Sequence, residues 1–400
     1  MSKPGPVSAT ERYHVLDVLR GTAVLGILVT NIQHFAMFAG TTRNPTLWGD
    51  LTGENLWVYS LTFTLFYQKF LPIFSMLFGA GIVLSAERRE RAGLAAGSLH
   101  YRRMVVLLLI GLLHGYLIWY GDILFVYAVC GMVIFAARRL PAGSLIALGI
   151  AMLAVHPLIE FARIVLPMAA GGGDVSIQEI VARDLAAFRG GWLEQLAMRA
   201  EYSFEVQTRG LLYILFWRAG GIMLLGMALY KLGVLTAECS RRVYFALIAV
   251  AVLVALPATL FGLAVNVAAD WQSFWLRKLA EHIIFWFGIP MSLALASVVM
   301  LACGRSGRPA WSRPLAAVGR MALTCYLLES VICTFIFYGH GLALYGRVER
   351  TGQAAVVLGV WALLLVVCPL WLRFFRFGPA EWAWRALAYN LPLPNSRSAP

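Results

Sequence analysis

The stretch LDVLRGTAVLGILVTNIQHF, residues 16–35, decides the fold. Its centre, Gly21 to Thr30, is apolar enough for hydrocarbon, yet Asp17, Arg20, Asn31, Gln33 and His34 bracket that centre. It has no small-x-small cleavage site and ends in Asn31 and His34, so it reads as a membrane helix that stays in place and not as a cleaved leader. At about 100° per residue, Asp17, Arg20, Asn31 and His34 fall within one arc of about 100°, whereas Gln33 points elsewhere. That polar face must look into protein or a wet cavity, because an ionisable group facing lipid is costly. Arg20 and Asn31 stand about 16 Å apart along the axis, at opposite ends of the stripe.

The rest of the chain repeats this apolar character. Its 400 residues are 60% hydrophobic and 13% charged, with a mean hydropathy of +0.75. A soluble domain is roughly 45–50% apolar and 25% charged, so composition excludes that class. An all-α, polytopic membrane helix bundle fits. Ten spans are expected, at 21–39, 56–85, 104–120, 122–137, 142–168, 211–231, 243–266, 281–303, 314–338 and 353–372, each read against a hydrocarbon core of about 30 Å. The second is long enough to require a tilt or kink, and it contains Pro72.

The basic residues orient the bundle. With both termini assigned to the cytoplasm, 21 of the 33 Lys and Arg residues fall on the cytoplasmic side and 10 on the opposite one, as the positive-inside rule requires. The basic pI of about 9.7 then follows from topology beside anionic lipid, without nucleic acid. The location expected is the bacterial inner membrane. Membrane lipids are the expected partners, and a homodimer is left open.

The chain divides into a five-span half at 1–168, a hydrophilic insert at 169–210 and a second five-span half at 211–390. In the insert Ile177, Ile180, Val181, Leu185 and Phe188 recur at helical spacing, while Glu179, Arg183 and Asp184 take other positions. An outer amphipathic helix is expected there, lying on the surface or capping the bundle. Residues 373–390 read as an interfacial belt of aromatics and arginines, and 391–400 as a disordered tail. The six cysteines form no CxxC pair, so neither a disulfide framework nor a metal site is expected.

The interior charges narrow the function. Lys69, Arg218 and Glu329 lie inside apolar runs, where such groups take partners or line cavities; Lys69 is expected to pair with Glu329 or, second, with Asp122. His114, between Gly111 and Gly115, and Asp122 lie in the same outer half as Asn31 and His34. An imidazole with a carboxylate or amide to orient it is the arrangement general base catalysis uses. No GxSxG elbow, phosphate loop or HExxH competes.

Five blocks carry a resemblance. LDVLRGTAVLGILVTNI (16–32), KFLPIFSMLFGAG (69–81), GLLHGYLIWYGDILFVYAVCG (111–131), VGRMALTCYLLESVI (318–332) and FGPAEWAWRAL (377–387) resemble, in order, the YeiB family of bacterial inner-membrane proteins. The first block also resembles transmembrane acyltransferases of the heparan-glucosaminide N-acetyltransferase type, which share an RG-containing first span ending in Asn. The match there is Arg20 and Asn31; His34 stands too early for that group's histidine, and His114 is the alternative base.

Two functions are carried forward. In the first, an acyl group moves from a cytoplasmic donor to an envelope acceptor, with acyl-CoA as co-substrate and no tightly bound cofactor. His114 or His34 then acts as base, Asn31 stabilises the oxyanion, Asp122 orients a histidine, and Arg20 with the cytoplasmic basic loops attracts the anionic donor; Asp17, a local ion-pair partner of Arg20, and Arg320 are further cavity candidates. In the second, a transporter or lipid-binding protein without covalent chemistry, Lys69, Arg218, Glu329, His114 and Asp122 line a path.

Overall fold

The structure is a computed structural model that describes residues 13–165, 177–303, 309–390 and 394–396. Among them the fold is helical, with one isolated antiparallel bridge between Phe375 and Ser396. The first half holds α1 (His14–Ala36), α2 (Gly53–Leu61), α3 (Phe70–Arg91), α4 (Ala96–Leu117), α5 (Leu124–Ile134) and α6 (Ala142–Val165). The insert forms α7 (Ile177–Arg189) and α8 (Leu196–Glu205), and α8 runs on through a π-helical segment at Val206–Leu215 into α9 (Phe216–Lys231). The second half adds α10 (Arg241–Val250), α11 (Leu256–Ala268), α12 (Phe274–Cys303), α13 (Ser312–Arg320), α14 (Ala322–Phe337), α15 (Arg350–Phe374) and α16 (Pro379–Tyr389).

Among the described residues, eight helical stretches are long and apolar enough to cross a membrane, or nine if the bent pair α13–α14 is one span. The expected span at 122–137 is the difference. Asp122 ends up outside the helix, and α5 has only 11 α-helical residues before a 3₁₀ turn at Phe135–Arg139. At about 1.5 Å per residue that helix covers about half the hydrocarbon core.

Two of the membrane helices are broken. α2 continues through a π-helical turn at Thr62–Phe66 and then unwinds at Tyr67–Lys69, where Gln68 takes the left-handed conformation at φ 61°. Broken backbone in a membrane must be satisfied by protein, and here it is: Lys69 Nζ donates to the Phe63 carbonyl at 2.8 Å, and Ser292 Oγ donates to the Lys69 carbonyl at 2.6 Å. Pro72, in the first turn of α3, gives up no hydrogen bond there. The second break is an 85° bend between α13 and α14 at Met321.

Close helix crossings use glycine. A Cβ on Gly79 would collide with the Met223 carbonyl of α9, and one on Gly226 with the Met76 carbonyl of α3. Gly81 meets nothing within 4 Å and lines a cavity instead.

The insert packs inward. Val181 and Phe188 of α7 are buried, and Phe188 lies 4.8 Å from the Tyr338 ring and 5.9 Å from that of Tyr120. Asp184, read from sequence as a polar-face residue, is buried instead and accepts from the Tyr202 hydroxyl at 2.6 Å; burial raises its carboxyl pKa above the usual carboxylate range. Of the tail expected to be disordered, residues 394–396 pair with 375–377, the Arg376 amide donating to the Asn395 carbonyl at 2.8 Å. Residues 391–393 and 397–400 lie outside the described residues.

Candidate functional site

α1, α3, α4, α5, α13, α14 and α16 contribute to the wall of a cavity of about 610 Å³. One end is cationic. Arg20, Arg103, Arg320 and Arg385 line it with a single carboxylate, Glu381. Arg20 pairs with the buried Asp17 at 3.1 Å. Arg103 donates to Ser85 Oγ at 3.1 Å and lies 4.6 Å over the Trp384 ring, whose indole donates to the Arg103 carbonyl. Flat guanidinium groups stacked on aromatic faces lose little freedom when they bind an anion.

Glu381 is engaged elsewhere. Its Oε1 accepts from the Leu323 and Thr324 amides at 2.7 and 3.1 Å, and its Oε2 from the Thr324 hydroxyl at 2.5 Å. A carboxylate from α16 thus caps the N-terminus of α14, where the helix dipole favours negative charge. Burial pushes its carboxyl pKa up while the three donors pull it down, and burial prevails. A folded pKa raised above the unfolded value gives stability that is present at low pH and declines as pH rises above about 4.3. Glu381→Gln should therefore be mild and flatten that decline. Glu381→Ala should cost about 1–3 kcal/mol by leaving buried amides unpaired. Melting curves of both variants between pH 4 and pH 8 check this.

The waist of the cavity is apolar, formed by Val24, Ile27, Leu71, Phe74, Leu77 and Phe78. Its far end is polar again, with Asn31, His34, Arg43, Tyr67, Gln68, Trp119, Tyr120 and Asp122 in the wall. His34 Nε2 is 3.3 Å from Thr42 Oγ1, which sits in a short 3₁₀ turn after α1. Asp122 Oδ2 lies 2.8 Å from His114 Nδ1, and Asp122 Oδ1 accepts from the Phe125 amide at 2.8 Å. The same carboxylate therefore caps α5 and fixes the His114 ring. Gly111 makes the pair possible, since a Cβ there would lie 2.8 Å from Asp122 Oδ1. His114 is 1% exposed, and its Nε2 has no hydrogen-bond partner.

Of the residues singled out in the sequence, Arg20, Asn31, His34, Asp122 and Arg320 line this cavity. His114 stands one layer behind the wall, held by Asp122, and Asp17 lies behind Arg20. The expected Lys69–Glu329 contact does not form. Lys69 is wholly buried and its ammonium serves the Phe63 carbonyl, while Glu329 is buried with Oε1 unpartnered. Arg218 is also apart, donating to the Phe285 carbonyl at 3.3 Å and stacked 4.2 Å over its ring. Lys69 caps broken backbone because the helix unwinds beside it, and hydropathy alone carries no sign of that break. Sequence reasoning missed Gln68, Trp119 and Arg103. It also gave Trp384 and Arg385 to an interfacial belt; the Glu in the GPAEWAW block was the available signal that this segment folds back onto the bundle.

Residues 229–390 match the family model "Protein of unknown function (DUF418)". The chain is 32% identical over 394 residues to the Escherichia coli "Uncharacterized protein YeiB", covering 96% of this chain and 98% of that one. It is 31% identical over 407 residues to the Bacillus subtilis "Uncharacterized protein YxaH", covering 97% of each.

Proposed function

The chain belongs to the YeiB family, and we propose that it is a membrane acyltransferase, taking an acyl group from an anionic thioester such as acyl-CoA and passing it to a hydroxyl or amine. One observation carries this reading: a single cavity joins a four-arginine end to an end that holds Asn31 and His34. The two ends lie about 16 Å apart along α1. That is room for a slender arm with its phosphate-bearing head left at the arginines and its thioester beside His34. The Lys and Arg asymmetry of the loops supports an orientation with the arginine end on the cytoplasmic side, where such donors are made.

The chemistry follows from the positions. His34, steadied by Thr42, takes the proton from the acceptor as its oxygen or nitrogen attacks the thioester carbonyl. The Asn31 amide, one helical turn below, donates to the oxyanion that forms. Collapse breaks the C–S bond, and the departing thiolate takes the proton back from His34. The products are the acylated acceptor and free thiol. His34 is favoured over His114 because it lines the cavity, whereas His114 is sealed behind Asp122 and positions the wall.

A transport reading draws on a different feature, since both helix breaks, at Tyr67–Gln68 and at Gly319–Ala322, line the cavity and half-helices at membrane depth are common in transporters. The test is thiol release from acetyl-CoA by the purified protein, with mass spectrometry of added acceptors. Arg103→Ala and Arg20→Ala should each raise the KM for the donor several-fold more than they lower kcat. Uptake into proteoliposomes with no covalent product, and no thiol release, would replace this reading with transport.

A further inference from the structure

Two cations are buried in the bundle with no acid between them. Lys69 is wholly buried and Arg218 is 7% exposed, and among the described residues no carboxylate pairs with either, Glu329 included. Lys69 Nζ meets one acceptor, the Phe63 carbonyl at 2.8 Å, and has hydrogens to spare. Arg218 Nη1 donates to the Phe285 carbonyl at 3.3 Å, while its buried Nη2 has no partner. Three contacts bring the two residues to one face of α12. Arg218 docks at Phe285, a Cβ on Gly288 would lie 2.7 Å from the Gln68 carbonyl, and the Lys69 carbonyl accepts from Ser292. Positions 285, 288 and 292 share a helix face and span about 10 Å, and the Arg218 charge acts on Lys69. Like charges in a dry interior repel far more strongly than in water. The Phe285 ring, 4.2 Å from the guanidinium, offsets part of what Arg218 loses on leaving water; no described residue supplies a counter-charge for the rest.

We propose that Lys69 and Arg218 hold a small monovalent anion, chloride, and that this ion is the missing counter-charge. Burial selects its size and charge. The pair is closed to solvent, so the ion must shed its water, and that cost rises steeply with charge, which disfavours sulfate and phosphate. A halide accepts hydrogen bonds from any direction, which suits the spare Nη2–H of Arg218 and a spare ammonium hydrogen of Lys69. The way in runs past Tyr67, which lines the polar end of the cavity and interacts with Arg218. By joining Lys69 of the broken second membrane helix to Arg218 of α9, the ion fastens the unwound turn Tyr67–Lys69 against α12, and Tyr67 and Gln68 of that turn are wall residues of the cavity. The site therefore serves the shape of the cavity whatever the cavity binds, and the inference stands apart from acyl transfer.

The test needs neither donor nor acceptor. Protein purified in sodium gluconate would be titrated with radiolabelled chloride, and its melting temperature followed in chloride, bromide, sulfate and gluconate at matched ionic strength. Saturable binding of about one chloride per chain is expected, displaced by bromide, with melting several degrees higher in either halide than in gluconate or sulfate. Arg218→Gln removes a hydrogen bond to a charged group, so it should weaken chloride binding about tenfold or more and make melting indifferent to the choice of anion. Lys69→Met also uncaps the Phe63 carbonyl, so it should melt lower in every salt, and chloride should no longer raise it. Arg183→Gln, which removes an exposed cation of α7, should respond to chloride like the parent, and a loss of response there would mark general screening in place of a site. A parent protein with no saturable chloride binding, or one that melts alike in chloride and gluconate, would overturn the proposal, and these two measurements decide it even if neither interior variant folds. Arg218→Gln and Lys69→Met proteins that bind chloride as the parent does would also overturn it.

Discussion

His34→Ala is expected to lower acyl transfer by about 10²–10⁴-fold, the range over which a positioned general base contributes. The histidine reaches the cavity directly and leans on Thr42, so the substitution removes the proton acceptor without disturbing a buried network. Asn31→Ala should cost about 10²–10³-fold, as loss of an oxyanion donor does. The double variant should fall no further than about the worse single one, since both groups serve the same transition state. His114→Ala offers the contrast. It strips Asp122 of its partner behind the wall, so its effect should come with lower thermal stability, whereas His34→Ala should melt like the parent. Initial rates of thiol release, with melting curves on the same samples, decide between them. A His34→Ala protein that transfers at the parent rate would remove His34 from the chemistry.

The polar stripe on α1 was legible because one period governs it. Asp17, Arg20, Asn31 and His34 share an arc only if the segment is a helix, and a polar arc in an apolar helix requires a cavity beside it. The other walls were less legible. Gln68 enters the cavity because the helix unwinds for three residues, and the sequence shows only Pro72 nearby, which a helix accepts in its first turn. Trp119 and Arg103 resemble the many lipid-edge aromatics and arginines of any membrane protein, and only tertiary packing turns them inward. Lys69 and Glu329 show the limit of pairing by depth. Both are buried, but the nearer need at Lys69 was the Phe63 carbonyl beside the broken turn, and local backbone satisfaction outweighed a distant ion pair. The short α5 arises similarly: Asp122 is drawn out of its apolar run to cap the helix and hold His114, which shortens the run below spanning length.

A methyl group at the crossing of α1 and α13 should disturb both stability and donor binding. Gly319 of α13 lies so close to α1 that a Cβ would fall inside the Asp17 carbonyl, and one on Gly21 would fall inside the Leu315 carbonyl. These obstacles are backbone atoms of packed helices, so no side chain can swing aside, and overpacking of this kind typically costs about 1–3 kcal/mol. Gly319→Ala is therefore expected to lower the melting temperature in detergent by several degrees. Gly359→Ala in α15, where a Cβ meets nothing within 4 Å, should be neutral or stabilising by up to about 1 kcal/mol. The crossing also sets the arginine end of the cavity. Arg20 projects from α1 and Arg320 from α13, next to Gly319, and Arg20 Nη1 reaches the Gly319 carbonyl at 3.5 Å. Pushing the helices apart moves both guanidinium groups, so the KM for the anionic donor should rise in Gly319→Ala along with the loss of stability. Gly359→Ala should leave that KM unchanged. A Gly319→Ala protein that melts lower but keeps the parental KM would show that the donor's head does not rest on Arg20 and Arg320, and the anion site would then belong to Arg103 and Arg385 on the opposite wall.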